Sequence, residues 1–201
     1  MERIKTDLTR LGALWLRVLT ASALTVLVVG CASSDDLVAD KDLMAVPVGA
    51  VGHYGWGIGV PEYYINDQWM GNVSGWGGGG AGMCCVLLPK YPKGPFMVKV
   101  RWTSCDIGHI KFVNDRVVDP AARCIEANHE ATVPVHFALP PGQGGDGLFV
   151  HFLPGHSVEV WFAGQLPPGK GYPGPSYPEG PAPRYAPLPG ERPQPAKANK
   201  Q

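Results

Sequence analysis

"FMVKVRWTS", Phe96 to Ser104, alternates without a break: Phe96, Val98, Val100 and Trp102 fall on one side, Met97, Lys99 and Arg101 on the other. A period of two is the mark of a β-strand with one buried and one wet face. Neighbouring stretches have the same texture. "LFVHFLPGHSVEVWF", Leu148 to Phe162, is a hairpin that turns near Pro154–Gly155–His156 and points Val158, Val160 and Phe162 inward. "EYYINDQWMGNV", Glu62 to Val73, is another, turning at Asn66–Asp67, residue types that tolerate turn dihedrals. "ATVPVHFAL" and "CCVLL" supply further strands, with Pro134 marking an edge or a bulge in the former. "PAARCIEANHE" forms a short helical turn at best. About six to eight short strands separated by Gly and Pro predict an all-β fold, a single β-sandwich or partly closed barrel.

The flanks are different. Residues 1–30 have the composition of a signal peptide: a basic start with Arg3, Lys5, Arg10 and Arg17, then the apolar "VLTASALTVLVV". That run is shorter than the ~20 residues of a membrane span. "LVVGC", Leu27 to Cys31, resembles a bacterial lipobox, which makes Cys31 the lipidation site, and the polar "SSDD" that follows argues against an uncleaved anchor. Ala32 in place of Asp favours the outer membrane, periplasmic face, by resemblance to the enterobacterial sorting rule. Residues 31–45 then form the lipidated Cys and a flexible tether, 46–163 the β-domain, and 164–201 a tail. The β-domain is long enough for one core. Eleven of the 21 prolines fall in the last 38 residues, so the tail is expected to be extended or disordered, a spacer or recognition arm. "YPGP", "YPEGP" and "YAPLP" recur loosely in it around Tyr172, Tyr177 and Tyr185.

Charge and motif searches narrow the function by exclusion. Seventeen basic and 17 acidic residues leave a net charge of +0 with no basic stripe, so nucleic acid is not expected as a partner. "GWGGGGAGMCCVLLP", Gly75 to Pro89, formally satisfies G-x-G-x-x-G. Yet no strand–helix unit surrounds it, no acidic residue stands about twenty positions on, and no Lys-Ser or Lys-Thr follows. Its glycines are read as backbone geometry, close approach or positive φ, in a loop that can also act as a contact surface. Neither G-x-S-x-G nor H-E-x-x-H occurs. No catalytic residue, cofactor or metal site is assigned, and an enzyme is not expected.

Four cysteines remain after Cys31, which in an oxidising compartment points first to disulfides. Three pairings are possible, one of them vicinal. The favoured bridge is Cys105–Cys124, whose loop closure contributes about 3 kcal/mol in the chain-entropy model. Cys84 and Cys85, adjacent on a strand, would point to opposite faces. A rival arrangement places Cys105, His109, Cys124 and His129 around zinc. His53, His136, His151 and His156 are read as surface or packing residues.

"YYINDQWMGNV", then "GGGG" shortly before "CCVLLP", then "VKVRW" and "VHFLPGHSVEV" together resemble a family of bacterial lipoproteins catalogued as domain of unknown function 3304, over about His53 to Phe162. Members are often encoded beside type VI secretion effectors, notably lipases. The resemblance therefore implies an immunity lipoprotein that binds and neutralises such an effector, with no catalytic residues to carry over. Trp56, Trp69, Trp76 and Gly78 are the candidate partner contacts, since aromatic rings on glycine-rich loops can dominate an interface. Core packing is the competing role for each tryptophan. Two other functions stay open: a structural envelope lipoprotein whose tail reaches peptidoglycan or an outer-membrane assembly, and a carbohydrate-binding β-domain that uses the tryptophans as stacking platforms.

Overall fold

The structure, a computed structural model, describes residues 40–78, 82–188 and 191. The expected signal segment, Cys31 and part of the glycine run therefore lie outside the described residues. Those described contain strands and no helix. In chain order the strands are β1 Leu43–Val46, β2 Val48–His53, β3 Ile58–Ile65, β4 Gln68–Val73, β5 Trp76–Gly78 and β6 Val86–Pro89, then β7 Met97–Asp106, β8 Phe112–Val113, β9 Arg116–Val117, β10 Ile125–Phe137, β11 Gly147–Leu153 and β12 Ser157–Ala163. "IEANHE", expected at best as a helical turn, opens β10 instead.

Eight strands form one sheet in the order β4-β3-β7-β10-β12-β11-β2-β5, and β1-β6 and β8-β9 make two small ribbons. The two end strands of the large sheet, β4 and β5, are consecutive in the chain, with only Ser74 and Gly75 between them. That corner bends the sheet round on itself, so the fold is a nearly closed barrel rather than a sandwich. The corner demands glycine. A Cβ on Gly75 would stand 1.7 Å from the carbonyl oxygen of Ile58, and one on Gly52 2.0 Å from that of Ser74.

The alternation of β7 is realised as expected. Val98, Val100 and Trp102 are buried, while Met97 is exposed and Arg101 reaches out to Asp67 at 3.0 Å. Val158, Val160 and Phe162 of β12 meet them in the core together with Tyr63, Ile65, Leu148 and Phe152. Each such side chain removed from water contributes about 1.5–3 kcal/mol against the entropy of ordering the chain. The β3–β4 hairpin turns at Asn66 and Asp67, with φ of 49° and 66°. Two successive positive φ values give the turn whose twist matches paired strands, which is why Asn and Asp stand there.

β1 begins at Leu43, inside the stretch expected as tether. Met44 and Val46 face the core from β1, as do Val86 and Leu88 from its partner β6, which is reason enough for this segment to be ordered. Cys84 and Cys85 precede β6 instead of lying on it. Their sulfurs are adjacent across a cis peptide bond, so they do not point to opposite faces. Cys105 and Cys124 are paired, Cα atoms 5.4 Å apart, and close the excursion that carries the β8–β9 hairpin.

One seam interrupts the large sheet. β10 pairs with β7 from Ile125 to Pro134, but with β12 only from Val135 to Phe137, in parallel. The amide of Val135 donates to Phe96 on the β7 side, so the missing N–H of Pro134 falls on the other side, where the β12 pairing starts. On the Ile125 side of that point β10 runs without β12, and His129 of β10 faces His156 of the β11–β12 turn.

Candidate functional site

A groove of about 580 Å³ runs along the start of β3, walled by Gly55 to Pro61 on one side and the Ser74–Trp76 corner on the other. Glycine lets backbone form its floor, and Trp56 and Trp76 stand on its two sides. Trp56 is 45% exposed, held edge-on by Phe112 of β8 at 6.3 Å and covered by the Arg184 guanidinium at 6.0 Å. The structure thus brings Trp56 and Trp76 together and leaves Trp69 out. Trp69 pairs with Tyr64 on the β3–β4 hairpin, exposed, and lines no part of the groove. None of the three belongs to the core.

Gly78 is not a free contact. Its amide donates to the Tyr177 hydroxyl at 2.8 Å, and the Tyr177 ring covers it. This corrects the expectation of a disordered tail over residues 164–188, which lie along the barrel. The three tyrosines of the loose repeat are its fasteners. The Tyr172 hydroxyl bonds His151 Nε2 at 2.6 Å, Tyr177 takes Gly78, and the Tyr185 hydroxyl donates to Glu191. Between them, Trp76 Nε1 donates to the Gly180 carbonyl at 3.2 Å. Proline removes donors from the segment but leaves carbonyls and tyrosine rings to find partners on the barrel. Composition alone shows the missing core and not these borrowed partners.

The last part of this strap is bound by main chain. The Trp56 amide donates to the Pro183 carbonyl at 2.6 Å and the Tyr185 amide to the Trp56 carbonyl at 2.9 Å, a parallel bridge of Trp56 with Arg184. The Arg184 guanidinium donates to the Gly108 carbonyl at 3.0 Å.

Beneath Tyr185 lies a polar pocket of about 230 Å³. Trp102 Nε1 donates to the Tyr54 hydroxyl at 3.3 Å, which in turn meets His156 Nδ1 at 3.3 Å. His156 Nε2 faces Glu191 at 2.6 Å. His129 stacks on His156, centroids 3.9 Å apart, and its Nε2 meets the Ser104 hydroxyl at 2.8 Å. Burial, then the neighbouring His156, holds His129 down at about 4; burial also lowers His156, with Glu191 opposing. Both rings are neutral at pH 7, so His156 accepts from Tyr54 and donates to Glu191. Ser104 with His129 is a hydroxyl–imidazole pair, but Trp102 and His156 flank His129 in place of the carboxylate that orients a triad base. On the other side of the barrel wall His53 Nε2 meets His151 Nδ1 at 2.8 Å, continuing the chain from Tyr172. His151 is fully buried, and burial followed by His53 lowers it to about 3.

Sequence reasoning leaves these histidines scattered and misses Tyr54, Ser104 and Glu191. The one visible signal is the tyrosine spacing of the tail. The rival zinc set is not assembled: Cys105 and Cys124 bind each other, and among the described residues no three His, Cys, Asp or Glu are placed to share a metal.

No curated protein and no solved structure matches this chain. A family model described as "Protein of unknown function (DUF3304)" matches residues 53–160, more than half of the sequence. The match runs from the last residue of β2 into β12, so it takes in the groove wall, the Trp56 bridge and the stacked histidines, while the strap lies beyond it. On that span the chain belongs to the DUF3304 family.

Proposed function

We propose that this chain is an envelope lipoprotein, anchored through Cys31 on the periplasmic face of the outer membrane, that acts by binding a secreted effector and not by catalysis. The observation that carries this reading is the apolar groove beside Trp56 and the exposed apolar hairpin at its rim. Phe112, Val113, Val117 and Val118 are all exposed on a hairpin whose base is closed by Cys105–Cys124. A contiguous apolar surface held on rigid backbone is what a protein interface uses. A sugar site would need several convergent polar side chains, whereas this groove is lined mainly by Gly, Val, Ile, Pro and Trp. The sequence resemblance implies neighbouring type VI effector genes, and on that reading the partner is an effector such as a lipase, whose active site or lid the complex would block.

The test is capture of neighbouring secreted effectors by the full chain, followed by an activity assay on whatever binds. Trp56→Asp with Phe112→Asp should weaken such a complex at least about tenfold and leave the melting temperature nearly unchanged. A complex of undiminished strength would remove this surface from the reading, and capture of envelope glycan alone would replace the reading with wall binding.

A further inference from the structure

The strap is held as peptide ligands are held. Its residues 183–185 make two main-chain hydrogen bonds to Trp56, one guanidinium–carbonyl bond to Gly108, and one aromatic insertion, the Tyr185 ring edge-on to Tyr54 at 5.7 Å. That is a single parallel bridge with a side-chain anchor, the shortest form of the main-chain pairing used in peptide recognition by strand addition. The strap does not fill the space open to it. Ala182 borders the groove, which continues past it along Gly57 to Pro61. The tether leading to the seat is tied to the barrel by Trp76 Nε1 at the Gly180 carbonyl, and Gly180 itself turns at φ +73° with nothing within 4 Å of where a Cβ would be. The seat residues Tyr54, Trp56, Gly108, His129 and His156 all lie within residues 53–160, and the strap lies outside them.

We propose that this seat is a docking site for an extended segment of a partner protein, and that Pro183 to Leu188 with Glu191 occupy it as a displaceable stand-in. The segment that fits carries a basic residue followed directly by an aromatic one between prolines. The basic group meets the Gly108 carbonyl and the face of Trp56, and the aromatic ring enters between Tyr54 and His156. A downstream carboxylate takes over the acceptor that His156 Nε2 now finds in Glu191. The displaced strap frees the rest of the groove for the residues that precede the basic one. This assigns chemistry to the partner and so rests on the binding-protein reading.

The probe is a fluorescein-labelled peptide GPAPRYAPLPGE, the sequence of residues 180–191, titrated by anisotropy into the full chain in detergent. Against the wild type it competes with a tethered copy of itself. Against Tyr185→Ala with Glu191→Ala in the chain, the tethered copy is weakened and binding should tighten by about tenfold or more. The peptide carrying Tyr185→Ala should bind neither. Equal affinity for wild type and variant, or equal binding of the altered peptide, overturns the proposal. A second readout needs no variant. In the wild type the Tyr185 amide should exchange with solvent well before the Val160 amide of β12, by local opening. If the two exchange together, the strap is part of the barrel and not displaceable. Dimers formed by exchange of straps between copies would make a second copy the occupant and likewise end the partner proposal. Effector capture that survives loss of peptide binding leaves the binding-protein reading standing without this seat.

Discussion

His129 and His156 lie face to face, ring centroids 3.9 Å apart and 17° from parallel, one projecting from β10 and the other from the β11–β12 turn. Two neutral imidazoles stack comfortably at that distance, and two charged ones do not.

The consequence is a stability that depends on pH below neutrality. His129 is held at about 4 and His151 at about 3, mainly by burial, against 6.5 in the unfolded chain. His53 and His156 are shifted the same way. A lowered histidine value means that the unfolded state binds more protons, so these groups give their full stability above about pH 6.5 and lose it as the pH falls. The melting temperature should be flat from about pH 7 to 8 and decline from about pH 6.5 to 5, before most carboxylates titrate. His129→Gln, which keeps a hydrogen-bonding group for Ser104, should decline less. Identical slopes would show that the stack does not contribute.

The Ser74–Gly75 corner gives a sharper test. Gly75→Ala puts a methyl into the Ile58 carbonyl, and relief requires the start of β3 or the corner itself to move, costing about 3 kcal/mol or more. Gly94→Ala meets nothing within 4 Å and should stay within about 0.5 kcal/mol of wild type. Urea denaturation of the pair decides it. Equal midpoints would mean that the corner yields freely and does not close the sheet.

Replacing both Cys105 and Cys124 by Ala opens a loop of sequence separation 19 and should lower stability by about 3 kcal/mol. The β7–β10 register continues beside the bridge, from Asp106 with Ile125 down to Met97 with Pro134, so the barrel should keep its far-ultraviolet spectrum. An unchanged urea midpoint would show that this register alone holds the loop ends.

The tail fasteners can be examined singly. Tyr177→Phe leaves the ring over Gly78 but removes the acceptor of the Gly78 amide, at a cost of about 1 kcal/mol. Hydrogen exchange at Gly78 should rise severalfold while that of Val100 stays unchanged. No rise at Gly78 would mean that the hydroxyl bond is not held in solution.

Strands and turns were legible because their causes are local. Alternation placed Val98, Val100 and Trp102 in the core, and Asn66–Asp67 announced its own turn. The corner was legible only as a need for glycine, since the atoms that exclude a Cβ from Gly75 come from Gly55 and Ile58, residues no pattern ties to it. The histidine pairs were invisible for the same reason. His53 and His151 are 98 positions apart and Tyr54 and His156 102, and only the barrel registers bring them together. Composition misled on the tail because it measures a segment's ability to bury itself, and this segment uses partners on the barrel. Of the proposed contacts, Trp56 and Trp76 share a groove because one stands beside the start of β3 and the other at the corner, a relation fixed by sheet closure and not by spacing.

The parallel pairing of β2 with β11, Val48 to Gly52 against Leu148 to Phe152, ties an early strand to a late one. A chain made from its N-terminus presents β2 long before its neighbour exists. Until residue 153 has emerged, the wall is missing one of its ribs, and contacts of such long range assemble slowly. Birth order therefore matters for this molecule: the β-rich segments already made must wait with an unpaired border that can stick to other chains. An escort that shields this border until the last hairpin arrives should raise the yield of folded protein, and the strap, made later still, can settle only on a wall that is already complete.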